Sequence, residues 1–458
     1  MKKLSTIVTM VVTSVFLLPA YGQWAKYTID ENISQPTGLI SGDIDSDGDR
    51  DIAAAIFGDA DLVWYENDNT TWTKHTIADN IGGVGVIIAD IDGDENPDVT
   101  VAVNATSMVK WYRNEGGSPI TWTPFTIDNN LNRAEFVSVG DIDNDGDADV
   151  AATGYIADHL VWYENNGGEP ISWTKDTIDA SLDGAGFCDL VDLDGDDTLD
   201  VVAIGMDASK VNWYKNKNAG QEWTKYIIDE QLASPAEANI ADIDGDGDPD
   251  MVVTGTNAND VVWYENTGGT PIGWTKHTID DNLGGAFEVA VADIDMNGTP
   301  DVFASANGSG DVVWYANEGG SPASWNKFTI EEALTQVWCV ISYDVDGDNF
   351  PDVIVNQWLT DASIIWYENP FIGVGIEQTL NTGSFSIYPV PANDWLTVET
   401  ELSAPYTIAI TSMNGQLLYN GEVKRNLHRI DLSAFRDGIY FITIRSEDSV
   451  TTSKIIKL

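Results

Sequence analysis

From residue 24 to about residue 370 the chain repeats one pattern of apolar and polar positions. Its clearest element alternates with period two and ends in Trp-Tyr-x-Asn, as in Val261-Val262-Trp263-Tyr264-Glu265-Asn266. The residue two before the Trp is apolar in every copy (Leu62, Val109, Leu160, Val211, Val261, Val312, Ile364), whereas the position between admits Lys110 and Asn212. Such alternation predicts a β-strand with one face buried more completely than the other. Three further strands keep step with it. A small apolar one, Phe287-Glu288-Val289-Ala290-Val291-Ala292, runs into an acidic loop, and Asp301-Val302-Phe303-Ala304 leaves that loop. A fourth carries Trp-x-x-x-Thr-Ile-Asp, as in Trp274 to Asp280, with relatives beginning at Trp24, Trp72, Trp122, Trp173, Trp223 and Trp325. It follows a Gly/Ser/Pro turn such as Asn114-Glu115-Gly116-Gly117-Ser118-Pro119.

The acidic loop fixes the period. Its first aspartates are Asp43, Asp90, Asp141, Asp192, Asp242, Asp293 and Asp344, at intervals of 47, 51, 51, 50, 51 and 51 residues. Four strands per unit, seven times over, predict an all-β fold: a seven-bladed β-propeller over residues 23–370. The phase of the chain favours a closed ring. It opens at Trp24 with a fourth strand and ends at Trp366 with a third, so the first strand can complete the last blade and leave no free edge.

Each loop offers oxygen at alternate positions. Positions 1, 3, 5, 7 and 9 are Asp43, Asp45, Asp47, Asp49 and Asp51 in loop 1, and Asp90, Asp92, Asp94, Asn96 and Asp98 in loop 2. Loop 3 has Asp141, Asp143, Asp145, Asp147 and Asp149; loop 4 has Asp192, Asp194, Asp196, Thr198 and Asp200. Loop 5 has Asp242, Asp244, Asp246, Asp248 and Asp250; loop 6 has Asp293, Asp295, Asn297, Thr299 and Asp301. Loop 7 has Asp344, Asp346, Asp348, Phe350 and Asp352. Side chains at 1, 3, 5 and 9 with a backbone carbonyl at 7 can converge on one hard cation, and Ca²⁺ suits such an irregular oxygen set. Up to seven structural calcium ions are expected. Gly48, Gly146, Gly247 and Gly298 occupy position 6, where a sharp turn is needed; Glu95, Asp197 and Asn349 stand there in the other loops. With Glu95 at that turn in loop 2 and one charge fewer in loop 6, these two are expected to bind most weakly.

Composition narrows the function. Net charge is −52, and 32 of the 74 acidic residues lie in the loops. That balance argues against nucleic acid or an anionic membrane as partner. Residues 1–22, with Lys2-Lys3, an apolar stretch from Ile7 to Leu18 and Ala20-Tyr21-Gly22, read as a secretory signal peptide. No later stretch is long enough for a transmembrane segment. Cys188 and Cys339 fall on equivalent strands of the fourth and seventh repeats, which predicts buried free thiols.

The Asp-x-Asp-x-Asp-Gly-x-x-Asp loops between propeller strands resemble FG-GAP (VCBS) repeats, the type found in the integrin alpha-chain propeller. The resemblance covers roughly residues 24 to 371 and implies calcium in the loops and a role in adhesion or carbohydrate binding. Periodicity stops after Asn369-Pro370. Residues 371–384 read as a linker, and residues 385–458 as a small immunoglobulin-like β-sandwich. Tyr388-Pro389-Val390-Pro391-Ala392, Asn414-Gly415, Gly438-Ile439-Tyr440 and the Lys454-Ile455-Ile456-Lys457-Leu458 terminus make this segment similar to the C-terminal sorting domain of type IX (Por) secretion. That resemblance implies the type IX machinery as a partner, export across the outer membrane, and a secreted or cell-surface-attached product.

A ligand surface separate from the acidic loops should lie on the opposite face, made by the connections between second and third strands and between blades. It offers Phe57, Tyr155, His159, Trp338 and Trp358; of these Trp358, Tyr155 and His159 are the candidates for an extracellular carbohydrate or protein ligand. Phe57, Tyr155 and Trp338 can equally plug gaps between blades. The recurring Trp-Tyr-x-Asn and Thr-Ile-Asp residues are assigned to packing. No catalytic residue is expected. His75 and His277 share one fourth-strand position, His428 lies in the tail, and neither Gly-x-Ser-x-Gly nor His-Glu-x-x-His occurs. A polysaccharide lyase or hydrolase working through paired carboxylates is the alternative to a binding module. A purely structural surface protein is the third reading.

Overall fold

In the computed structural model, residues 24–370 and the strands between residues 380 and 457 are described. They fall into two compact units, one beginning at Trp24 and one formed by the C-terminal segment. The signal-peptide reading of residues 1–22 lies outside the described residues.

The first unit is seven four-stranded antiparallel sheets. Blade 1 is built from Pro36–Gly42, Asp51–Ile56, Asp61–Asp68 and Thr71–Asp79, in that spatial order. Blades 2 to 6 repeat the order, each first strand opening at Val86, Ala134, Ala185, Pro235 and Ala286. Blade 7 takes Val337–Tyr343, Asp352–Gln357 and Ala362–Glu368, and its outer strand is Ala25–Ile33 from the start of the chain, with Tyr27 opposite Trp366. Strand pairing thus closes the ring at the predicted seam.

Burial follows the sequence pattern. Second strands are buried end to end, as in Asp149–Gly154 and Asp250–Gly255, because both faces meet neighbouring blades. Fourth strands alternate only weakly and face solvent. The third-strand Trp is the main apolar anchor of each blade: Trp162, Trp263 and Trp314 are completely buried. It stacks on the fourth-strand residue opposite, Tyr27 on Trp366 at 4.5 Å, Phe125 on Trp111 at 4.7 Å and Tyr226 on Trp213 at 4.6 Å between ring centroids. Aromatic side chains bury roughly 150–250 Å² each, so these columns dominate the apolar stabilisation of the ring. His75 and His277 fill the same role over Trp64 and Trp263, each bonded to a glutamate, Glu66 and Glu265, at 2.7 Å.

The Thr-Ile-Asp aspartate does more than pack. Asp128 accepts a hydrogen bond from the Tyr163 hydroxyl of the next blade at 2.7 Å and pairs with Lys175 at 2.6 Å. Asp179 does the same with Tyr214 and Lys225, Asp229 with Tyr264 and Lys276, and Asp280 with Tyr315 and Lys327. One junction departs. Blade 1 reads Thr76-Ile77-Ala78-Asp79, one residue longer, and blade 2 carries Pro124 where the lysine stands elsewhere. The short 47-residue interval falls at this junction.

The C-terminal unit contains two four-stranded antiparallel sheets. One of them begins earlier than residue 385: Leu380–Asn381 pairs with Ser386 and Ile387, so the stretch read as linker contributes a strand. Residues 371–379 of that linker lie outside the described residues. Cys188 and Cys339 are free and buried on first strands.

Candidate metal centres

Each acidic loop joins the first and second strands of a blade and folds around its own backbone N–H groups. In loop 1, Asp43 accepts from Asp47 N at 3.1 Å and Gly48 N at 3.2 Å, Asp45 from Asp47 N at 3.2 Å, and Asp47 from Asp49 N at 2.9 Å. Two residues adopt left-handed backbone, position 4 as well as position 6: Ser46 with φ 62° and Gly48 with φ 102°. The second was expected and the first was not. Glu95, Asp197 and Asn349 adopt φ of 70°, 65° and 69° at position 6. A Cβ at Gly48 or Gly247 would meet nothing within 4 Å, so Glu95 bears only the intrinsic cost of that backbone, about 1–2 kcal/mol.

These turns bring carboxylates together. Oxygens of Asp43, Asp45 and Asp51 lie within 4.8 Å of one another, as do those of Asp90, Asp92 and Asp98, of Asp141, Asp143 and Asp149, of Asp192, Asp194 and Asp196, and of Asp242, Asp244 and Asp246. In loop 6 the acidic members Asp293 and Asp295 are joined by Asn297 and Thr299, whose side chains turn to the Asn317 carbonyl at 3.2 and 2.6 Å. Loop 7 keeps the same turn with Asp344 and Asp348, and Asp346 accepts from Asp348 N at 3.2 Å.

Position 9 has a second task. Both oxygens of Asp149 accept backbone N–H bonds, from Ile142 at 3.1 Å and from Asn165 at 2.8 Å. Loops 1, 2, 5, 6 and 7 repeat this, and in loop 4 Asp200 accepts from Asn216 N at 2.7 Å and from Trp213 Nε1 at 2.8 Å, so every copy ties the loop to the third strand. Burial pushes these carboxyls up, to about 7 for Asp51, Asp98 and Asp149, about 6 for Asp200 and Asp250, and about 8 for Asp301 and Asp352. The Asn of Trp-Tyr-x-Asn completes the joint. Asn114 Nδ2 donates to Ile44 O of the preceding blade at 3.0 Å and to Pro97 O of its own loop at 3.1 Å. Asn67, Asn165, Asn216, Asn266, Asn317 and Asn369 bond the loop carbonyls of Val345, Ile91, Ile142, Leu193, Ile243 and Ile294. The result is a closed circle of side-chain bonds from loop to loop around the ring. Recurrence had marked these asparagines as packing, and they are instead its polar staples.

The carboxylate triads offer the oxygen set of a hard cation, and in loops 2 and 4 Asp92 Oδ1 and Asp194 Oδ1 are buried without any hydrogen-bond donor. A carboxylate oxygen buried that way is costly unless a positive charge meets it. The residue before the stapling Asn decides what that charge is. It is Glu66, Glu164, Glu265 and Glu368 for loops 1, 3, 5 and 7, Ala316 for loop 6, and Arg113 and Lys215 for loops 2 and 4. Lys215 Nζ pairs with Asp194 and lies 2.9 Å from Asp196; Arg113 lies 3.6 Å from Asp92. Loops 2 and 4 therefore hold a cation of their own.

The opposite end of the blades meets an axial cavity of about 440 Å³ lined by first strands. Tyr155 lines it, with its hydroxyl on Asp207 at 2.9 Å and the Arg133 guanidinium 4.2 Å over its ring. Trp338 also lines it, between Phe287 at 4.1 Å and Trp358 at 5.3 Å. Trp358 is half-buried in its connection, and His159 sits at the start of a third strand, away from this group.

A family model described as an FG-GAP-like repeat matches residues 43–101, 141–203, 192–253 and 242–304. One described as a secretion system C-terminal sorting domain matches residues 386–458. No curated protein matches the chain. Among solved structures it is similar to BBS1N in complex with ARL6DN, soaked with lead, at 15% identity and TM-score 0.51 over 76% of this chain and 97% of that one. The mercury-soaked form of that complex matches at 15% identity and TM-score 0.50 over 76% and 96%. At such identity the likeness shows the fold alone.

Proposed function

For a chain whose propeller is made of FG-GAP-like repeats and which ends in a secretion sorting domain, we propose a calcium-stabilised binding module working at the cell surface or outside the cell. The acidic loops are its structural metal sites, and the opposite face is its ligand surface for an extracellular carbohydrate or protein. The observation that carries the metal reading is the set of carboxylate triads with oxygens within 4.8 Å. Two charges about 4 Å apart repel by about 4 kcal/mol at an effective dielectric of about 20, so a bound cation is what lets the loops stay ionised.

Calcium occupancy follows the residue before the stapling Asn. Loops 1, 3, 5 and 7 add a glutamate beside the triad and bind best, loop 6 binds with one charge fewer, and loops 2 and 4 are met by Arg113 and Lys215. This replaces a ranking in which loops 2 and 6 are weakest. With a dissociation constant near 10⁻⁴ M and about 1 mM calcium, five sites contribute about 7 kcal/mol to the folded ring.

Ligand binding draws on Trp358 and Tyr155 near the cavity mouth, where the Phe287–Trp338–Trp358 column offers flat apolar faces suited to sugar rings or protein side chains. A glycan array probed with the calcium-loaded protein and with Trp358→Ala tests this. Binding that is lost in Trp358→Ala while the melting temperature holds supports the reading. Equal binding by both proteins moves the ligand surface elsewhere.

A further inference from the structure

The axial cavity carries a chemistry the metal loops do not use. Its first strands bring a carboxyl pair face to face: Glu237 of blade 5 and Glu288 of blade 6 are hydrogen-bonded to each other. Glu288 also accepts from Val340 N at 2.9 Å and from the Cys339 thiol, whereas Glu237 has only the Glu288 carboxyl as a hydrogen-bond partner and faces Asp189 as well. Every other charged group around the cavity is already satisfied. Arg133 is paired with Glu135 at 3.3 Å, and Glu135 also accepts from Asn104 Nδ2 at 2.6 Å. Asp189 of blade 4 accepts from Ser138 Oγ at 3.1 Å and from Leu190 N at 2.9 Å. The lining strands of blades 1 and 2 add no charged residue, and blade 7 adds the Cys339 thiol, which lies 2.9 Å from Thr37 O and is also bonded to Glu288.

Around the pair stand aromatic rings. Phe187 packs on Phe136 at 4.8 Å and Phe287 on Trp338 at 4.1 Å, and all four line the cavity. A carboxyl pair in which Glu237 has no donor but its neighbour, bordered by ring faces, offers the recognition chemistry of an alkylammonium group: that group supplies N–H donors and positive charge and packs against π-faces. We propose that the axial cavity binds a primary amine, a free polyamine or the side chain of a lysine, through Glu237 and Glu288.

In the empty cavity a proton takes the cation's place. Burial pushes Glu288 up to about 8, and burial with the facing Glu288 and Asp189 charges pushes Glu237 well above the carboxylate range. An entering ammonium displaces a proton from the pair to solvent, so binding strengthens as pH rises toward about 8 and releases about one proton.

The test uses the secreted protein in saturating calcium, which keeps the acidic loops filled, at physiological ionic strength, which screens surface charge. Titration calorimetry with 1,5-diaminopentane, run in two buffers of different ionisation enthalpy, should give one saturable site, proton release, and quenching of tryptophan fluorescence. Pentane-1,5-diol, its neutral isostere, should not bind. Glu237→Gln and Glu288→Gln should each weaken the diamine by about tenfold or more. Trp338→Leu, which keeps the carboxyls, should weaken it less, and serves as the second variant if a Gln protein fails to fold. Equal binding of the diol, binding unchanged in all three variants, or displacement of the diamine by calcium one for one would overturn the proposal. None of these outcomes depends on Trp358 or on the occupancy of the metal loops.

Discussion

The ring gathers carboxylates in two places and answers their repulsion in two ways. At the acidic loops the backbone turns wrap each group with N–H donors, while Asp92 Oδ1 and Asp194 Oδ1 are buried without one. In the axial cavity the side chains of two blades meet directly, bonded otherwise by one backbone N–H and the Cys339 thiol, and burial pushes both carboxyls up. The difference lies in spacing. Side chains at alternate positions of one loop can be arranged around an ion of fixed size, whereas residues on neighbouring first strands are set by the ring itself. On the function proposed above, the first arrangement is answered by calcium and the second by protons.

That contrast breaks most visibly when metal is removed. Excess chelator should cost the propeller about 7 kcal/mol and lower its melting temperature by on the order of 10 °C in a calorimetric scan. An unchanged transition would remove the loops from the contrast altogether. Next in size is the joint at position 9. Asp250→Ala leaves the buried N–H groups of Ile243 and Asn266 without acceptors and should cost about 2–4 kcal/mol by urea titration, with or without calcium. Lys215→Glu turns loop 4 into the likeness of loops 1, 3, 5 and 7. Calorimetric calcium stoichiometry should rise by one, with about 1.4 kcal/mol of added stability at about 1 mM calcium. A fixed stoichiometry would mean that Lys215 does not govern the site.

Titration sharpens the contrast at the small end. The Glu237–Glu288 pair has raised folded values, so its contribution is complete at low pH and fades as pH rises toward about 8. Asp128 runs the other way. Burial raises it, but the bonds from Lys175 and Tyr163 outweigh burial and hold it below the ordinary range. Its contribution is present above about pH 4 and is lost as pH falls through its folded value. Lys175→Met should cost about 0.5 kcal/mol at neutral pH and reduce the acid-side slope of stability, read by urea titration at each pH.

Most of the ring could be read from the residues because period-two alternation and loop spacing are local signals. The seam is an example: a leading fourth strand and a trailing third strand state it outright. The polar staples were harder. Asn114 and its six counterparts recur in every blade, and recurrence alone does not separate a packed side chain from one that bonds across an interface. The position before them was more informative than its variability suggests, since Arg113 and Lys215 differ in sign from Glu66, Glu164, Glu265 and Glu368. Glu237 and Glu288 sat unnoticed inside strands read as small and apolar. A charged residue in such a strand is a visible signal, but that the two side chains of neighbouring first strands meet inside one cavity is a property of the closed circle.

Closure by the first strand also imposes an order of events. Tyr27 and its partner Glu368 are 341 residues apart in the chain. During synthesis or passage through a pore, the opening strand must stay unpaired until almost the whole propeller has emerged. A contact so distant in sequence is slow to form and late to stabilise. Any truncation before residue 368 leaves two unsatisfied edges at once, so the molecule is delivered either whole or as a target for proteolysis.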